Sequence, residues 1–173
     1  NNISDAGGYG VAFGAPSGIS FKDIGGIDPQ GTCPLRDDGT MACWGRSAPS
    51  GVFVDVDGDS GDMCAVEAAT GSVSCWNYAN ASLPSVAGSF SDVSVTSFHA
   101  CAIEEGTRFV RCWFTDSTYR DVGNIVSLTP SDLAVDQVDI GSQYACAIRT
   151  SDGELQCWGA VLPNVPTNVS FTS

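Results

Sequence analysis

The sequence predicts an all-β fold of propeller-like blades, with antiparallel strands, a disulfide stapling each hairpin, and four full units plus two fragments of a fifth. Three observations carry that prediction. The eight cysteines fall in four pairs, Cys33 and Cys43, Cys64 and Cys75, Cys101 and Cys112, Cys146 and Cys157, at separations of 10, 11, 11 and 11 positions. The second member of every pair is followed by tryptophan, at Trp44, Trp76, Trp113 and Trp158, and these are all the tryptophans present. Upstream of each first cysteine by 11 or 12 residues stands a related segment, Phe21-Lys22-Asp23-Ile24, Phe53-Val54-Asp55-Val56, Phe90-Ser91-Asp92-Val93 and Val135-Asp136-Gln137-Val138. Recurrence at such a period is the signature of a repeat architecture.

Each unit folds on paper as a hairpin. Setting Cys146 opposite Cys157 pairs Ala147 with Gln156, Ile148 with Leu155 and Arg149 with Glu154 around a Ser151-Asp152 turn. The same register pairs Val66 with Val73 in the second unit, and Ile103 with Val110 and Glu105 with Arg108 in the third. The first unit is one residue shorter and pairs Leu35 with Met41 over Asp37-Asp38-Gly39. Period-two alternation then puts the cystine and the aliphatic residues on one face and Trp on the other. A strand apolar on both faces needs cover on both, which stacked blades supply. Adding the Phe-x-Asp-Val strand before the hairpin and an irregular strand after it makes an expected four-stranded blade.

The chain reads as a single repeat domain over 1–173: a partial blade at 1–20, full repeats at 21–52, 53–89, 90–134 and 135–170, and the start of a further repeat at 171–173. The first residues fit the hairpin frame with Asn1 and Ala12 at the cysteine positions and Phe13 at the tryptophan position. Two arrangements accommodate these ends, a small propeller closed by joining its termini and a piece of a longer array cut within a blade. The opening at Asn1, without Met or an apolar signal segment, reads as a mature or trimmed product.

Twenty acidic against seven basic residues give a net charge of −13, which repels a phosphate backbone and excludes nucleic acid as an expected partner. No apolar run reaches the length of a membrane span. Asn2, Asn80 and Asn168 head N-glycosylation sequons, and with an even number of cysteines they point to an extracellular or cell-surface protein carrying N-linked glycans. Zinc is disfavoured, since no Cys-x-x-Cys occurs and the pairs stand at hairpin distances. Disulfides within each unit are therefore expected, contributing about 2–4 kcal/mol each.

Two features invite chemistry. The run Asp55-Val56-Asp57-Gly58-Asp59-Ser60-Gly61-Asp62 makes Asp55, Asp57, Asp59 and Asp62 candidate calcium ligands, although it lacks the glycine and glutamate placement of an EF-hand, Asp55 is already explained by its repeat position, and a solvated acidic turn is the plainer reading. His99 is the sole histidine and a conceivable base, but Tyr144 occupies its position in the fourth unit, which suits packing. With no nucleophile elbow, phosphate loop or carboxylate pair, no reaction is proposed and calcium is the one cofactor considered. The tryptophans offer a sugar-stacking platform or, better, core between blades.

The run Cys146-Ala147-Ile148 through Asp152-Gly153-Glu154-Leu155-Gln156-Cys157-Trp158-Gly159 resembles the repeats of the regulator of chromosome condensation family, in the secreted, cysteine-bearing form similar to ectodomains of the plant Crinkly type receptor kinases. The resemblance implies a β-propeller, commonly of seven blades, a number from which this chain departs. Nuclear exchange-factor and chromatin functions are not carried over, because the acidic charge, sequons and cysteines oppose them. Two functions remain: a non-enzymatic structural or assembly module of a fibre, matrix or cell-surface appendage, partnered by itself or by other extracellular proteins; and a receptor-like or inhibitor-like propeller binding a peptide, protein or carbohydrate.

Overall fold

The computed structural model describes residues 18–28, 31–45, 47–116 and 121–162. Most of the partial unit expected at 1–20, all of 171–173, and the sequons at Asn2 and Asn168 lie outside the described residues.

Alternating apolar residues around tight turns produce four consecutive antiparallel sheets. The first pairs β1 (Phe21–Asp28) with β2 (Gly31–Arg36), and its third strand is reduced to the bridges Leu35↔Met41 and Thr32↔Trp44. The second has the order β3 (Phe53–Asp59), β4 (Asp62–Glu67), β5 (Val73–Trp76) and β6 (Ser82–Leu83). The third comprises β7 (Phe90–Val95), β8 (His99–Glu104) and β9 (Val110–Phe114); the fourth comprises β10 (Val135–Ile140), β11 (Tyr144–Arg149) and β12 (Leu155–Gly159). Among the described residues the expected outer strand forms only in the second blade. After the third hairpin, the segment expected to be an irregular strand instead makes a 3-10 turn at Val122–Asn124.

The hairpins hold Cys64 opposite Cys75, Cys101 opposite Cys112 and Cys146 opposite Cys157, with Val66↔Val73, Ile103↔Val110 and Ile148↔Leu155 following in register. The Arg149 N–H donates to the Glu154 carbonyl at 3.0 Å and, at the same step of the third hairpin, the Glu104 N–H donates to the Phe109 carbonyl at 2.9 Å, so that Glu105 and Arg108 fall in the turn beyond the last ladder bond. All eight cysteines are joined within their own hairpins, with Cα–Cα distances of 4.0 or 4.1 Å. That is close to the spacing of directly opposed, non-hydrogen-bonded strand residues, which brings the two sulfurs together without moving the backbone.

Each inner strand carries a β-bulge at the same place. Register shifts fall between Phe21 and Asp23, Phe53 and Asp55, Phe90 and Asp92, and Val135 and Gln137. The extra residue lets Phe53 and Val56, three apart, both be buried, as are Phe90 and Val93, and Val135 and Val138. An unbroken strand would put them on opposite faces.

The core is divided into three slabs, one between each pair of neighbouring blades. Cys33, Leu35 and Met41 of the first blade pack on Phe53, Val56, Ala65 and Trp76 of the second. Cys64, Val66, Val73 and Cys75 pack on Phe90, Val93, Ala102 and Trp113 of the third. Cys101, Ile103 and Val110 pack on Val135, Val138, Ala147 and Trp158 of the fourth. In each of these three slabs a cystine face is turned to the following blade and a Trp face to the preceding one. The alanines of the Cys-Ala-aliphatic triplets share the Trp face, where a larger side chain would hold the sheets apart.

Candidate functional site: the faces between blades

Backbone hydrogen bonds repeat across the slabs along with the apolar contacts. The N–H of the first inner-strand residue donates to the turn carbonyl of the preceding hairpin: Phe53 to Gly39 at 2.7 Å, Phe90 to Gly71 at 2.8 Å and Val135 to Arg108 at 3.0 Å. These three turn residues all have positive φ, of 80, 68 and 63°. Gly153, with φ of 69°, stands at the same position of the fourth hairpin.

A second link runs through polar side chains of the inner strands. Asp23 accepts the Val56 N–H at 3.4 Å, Asp55 accepts the Val93 N–H at 2.7 Å and Asp57 accepts the Val95 N–H at 2.8 Å. Ser94, aligned with Asp57, accepts the Ile140 N–H at 3.2 Å and donates to Asp139 at 3.1 Å. Burial disfavours the charged form here. The Asp55 carboxyl is pushed up to about 8, first by desolvation and then by the neighbouring Asp92 carboxylate, with Asp23 adding to it. Burial raises Asp57 and Asp92 as well.

The structure does not gather the four candidate calcium ligands at one point. Asp55, Asp57 and Asp59 are not on a loop: they lie on one face of β3, and an extended strand spreads alternate residues over about 13 Å from first to last, too far to close on one ion. Two of these carboxylates hold backbone N–H groups of the third blade, Asp59 accepts from the Ser97 hydroxyl at 3.3 Å, and Asp62 has moved to β4, across the hairpin from Asp59. Among the described residues no group of three or more His, Cys, Asp or Glu side chains is arranged to hold a metal ion.

His99 is fully buried, with its ring 5.6 Å from that of Phe114 and its Nε2 3.5 Å from Asp121 Oδ1. Desolvation lowers its pKa more than the Asp121 carboxylate raises it, so the ring is neutral near pH 7. Sealed from solvent, it is placed to fill the end of its blade and to anchor the segment that follows. Asp121 also accepts the N–H groups of Val126 at 3.1 Å and Ser127 at 2.8 Å, which shapes the turn that drives Ile125 into the core. The Ile125 carbonyl then takes the Trp158 indole N–H at 3.1 Å, as the Pro84 carbonyl takes that of Trp113 at 3.0 Å. Sequence reasoning expected an irregular strand here and missed Ile125 as a core residue; an aliphatic residue directly following Asp-Val-Gly-Asn was the available signal. Asn80 sits exposed at a turn with φ of 58°, accessible for modification.

The two ends of the described array leave one face of each kind uncovered by another described blade. On the first blade Ile24 is 57 % exposed, while its counterparts Val56, Val93 and Val138 are 3, 3 and 7 % exposed. Phe21, Ile24, Pro34 and Trp44, with Lys22, Asp23 and Thr32, line a groove of ≈ 480 Å³ there, and the Phe21 and Trp44 rings meet edge to face at 6.0 Å. On the fourth blade Cys146, Ile148 and Leu155 are only partly buried, although the matching residues of the three earlier blades are almost fully enclosed, and they border a second groove of ≈ 450 Å³ with Gln137 and Asp139. Among the described residues, these open faces are the distinctive surfaces.

No family of known sequences and no curated protein matches the chain. Solved structures do. The entire ectodomain of the receptor kinase CR4 from Physcomitrella patens superposes with a TM-score of 0.75 at 22 % identity, over 93 % of this chain and 48 % of that one. The CRINKLY WD40 ectodomain of the Arabidopsis thaliana receptor kinase ACR4 does so with a TM-score of 0.70 at 22 % identity, over 93 % of this chain and 59 % of that one. The chain spans about half the length of the ectodomains it matches. It has the fold of Crinkly type ectodomains, an all-β arrangement of propeller-like blades, and its four disulfides together with that likeness point to an extracellular or cell-surface protein.

Proposed function

We propose that this chain is a non-enzymatic extracellular repeat module with a structural or assembly role, its blades of the regulator of chromosome condensation type. One observation carries the reading: among the described residues, the rule that mates cystine face to Trp face inside the array is left half-used at both ends of the array, where Ile24 of the first blade stands 57 % exposed beside Trp44 and Ile148 and Leu155 of the fourth are only partly buried. A protein that keeps such apolar surface outside the cell does so for contact with another protein. Among the described residues no helix is long and apolar enough to cross a membrane, so the reading does not call on a helical span within them. The sequons at Asn2, Asn80 and Asn168 make it a glycoprotein, with glycans kept off the slabs at least at Asn80, whose turn is exposed.

Electron microscopy of native, non-reduced material with intact-mass analysis tests this. Regular particles of repeated mass, heavier than the polypeptide by whole glycans, support it; discrete particles of one chain's mass overturn it. The groove at Trp44 and the ectodomain likeness favour a second reading, a receptor-like or inhibitor-like domain whose partner is a peptide, protein or carbohydrate. Discrete particles that bind a glycan or peptide array in competition with substitution at Trp44 are the result that selects it.

A further inference from the structure

We infer that the open Trp face of the first blade receives the open cystine face of the fourth blade from a second copy of this chain, in a head-to-tail contact that reproduces the internal slabs. The inference rests on the assembly reading above and names its partner and its contact residues.

The argument is continuity with three interfaces already present in the molecule. In each slab a cystine and two apolar residues of one blade cover the Trp and two apolar inner-strand residues of the next, Phe and Val in the first two slabs and Val135 and Val138 in the third. The fourth blade offers the Cys146–Cys157 disulfide, Ile148 and Leu155; the first blade offers Phe21, Ile24 and Trp44. The two surfaces differ from each other, so neither is self-complementary, and each matches only the other. This makes the contact heterologous: it propagates or closes into a ring, and it cannot form a two-fold pair through one shared patch.

Polar groups at the two ends agree with the apolar match. In the internal slabs the turn carbonyls of Gly39, Gly71 and Arg108 accept the N–H of Phe53, Phe90 and Val135. Gly153 is the equivalent turn residue of the fourth blade, and Phe21 the equivalent first residue of the first blade. Asp57 and Ser94 accept the N–H of Val95 and Ile140. Asp139 holds their position in the fourth blade, and Gly26 holds that of Val95 and Ile140 in the first. A docked copy therefore meets both backbone links as well as the apolar contact.

The test uses the full, disulfide-intact, secreted chain. Mass is measured by light scattering and sedimentation for wild type, for Ile24→Glu, which charges the Trp face, and for Ile148→Glu, which charges the cystine face. Both positions are solvent-accessible in the single chain, so the variants are expected to keep the wild-type circular dichroism and to show no free thiol. Phe21→Glu and Leu155→Glu, at positions only partly buried, serve as a second pair if either fails that check. Wild type is expected to form masses that are whole multiples of one chain, and each variant to associate about 30-fold more weakly or worse. An equal mixture of the two variants regains one intact contact, from the Trp face of Ile148→Glu to the cystine face of Ile24→Glu, and stops at two chains. Wild type that stays a single chain at every concentration overturns the inference, as does a variant that associates like wild type or a mixture that stays single. If microscopy shows regular assemblies while both variants still associate like wild type, the assembly role stands and this contact is wrong; if no assembly appears by any method, both fall.

Discussion

Replacing Asp55 by asparagine should flatten the dependence of stability on pH. In the unfolded chain this carboxyl titrates near 3.8, and in the folded protein near 8, because burial and the Asp92 carboxylate oppose its charge. A raised folded-state pKa contributes stability that is fully present below the unfolded value and is lost as pH rises through the folded one. Between those limits the folded chain holds a proton that the unfolded chain has released, which costs about 1.4 kcal/mol per pH unit, or about 3 kcal/mol from pH 5 to pH 7, as an upper bound. That is a large share of the 5–15 kcal/mol typical of a domain. Asp57 and Asp92 are raised too and act with the same sign. Asparagine stays neutral throughout, and its side-chain oxygen can still accept the Val93 N–H that Asp55 holds at 2.7 Å. Urea unfolding of the non-reduced protein, followed by tryptophan fluorescence at pH 5, 6, 7 and 8, measures the slope. Wild type should lose stability steadily over this range while Asp55→Asn loses roughly half as much or less. Parallel lines for the two proteins would mean that Asp55 ionises normally in the fold, and the account of the buried carboxylates would be refuted.

Other perturbations read the slabs one at a time. Trp158→Ala empties a buried position between the third and fourth blades and should cost about 3–5 kcal/mol in urea unfolding, whereas Trp158→Phe, which forgoes the bond to the Ile125 carbonyl, should cost less. Gly25→Ala would place a methyl group 2.8 Å from the Val56 carbonyl oxygen and 2.9 Å from the Asp57 Cα, so the first two blades must part; the melting temperature should fall, and a variant as stable as wild type contradicts the close approach. Replacing Cys101 and Cys112 together by alanine should cost about 2–4 kcal/mol, read in the same assay. Millimolar calcium or a chelator should leave the melting temperature unchanged, because a site formed only in the folded protein would raise it.

Much of this architecture could be read from residue spacing. The Cys-x10-Cys-Trp frame has one economical solution, a hairpin with facing cysteines, and Val66↔Val73, Ile103↔Val110 and Leu35↔Met41 pair as that register requires. The direction in which each Trp points also follows, since it is one step past its cysteine. The bulge was hidden because strict alternation was applied to the hairpins alone, where it holds; the Phe-x-x-Val spacing of the inner strand violates it and was the clue. Asp55 to Asp62 resembles a calcium loop when only sequence spacing is considered. In the fold the same alternation belongs to an edge that must satisfy the next blade's N–H groups. The open faces were not legible in this form, because they depend on which blades meet, and that is decided by stacking rather than by any local pattern.

The cystines have a consequence of their own. Each bond joins residues 10 or 11 apart in the sequence, and none crosses from one blade to another. Oxidation during synthesis can therefore be finished hairpin by hairpin, as soon as each pair has left the ribosome and entered an oxidising compartment, without waiting for distant segments. The same locality makes the gene safe to edit in whole units: duplicating or excising one repeat adds or removes a complete pair and strands no thiol. Lineages built this way can lengthen or shorten their blade arrays freely, and mispairing poses little hazard to a newly made chain.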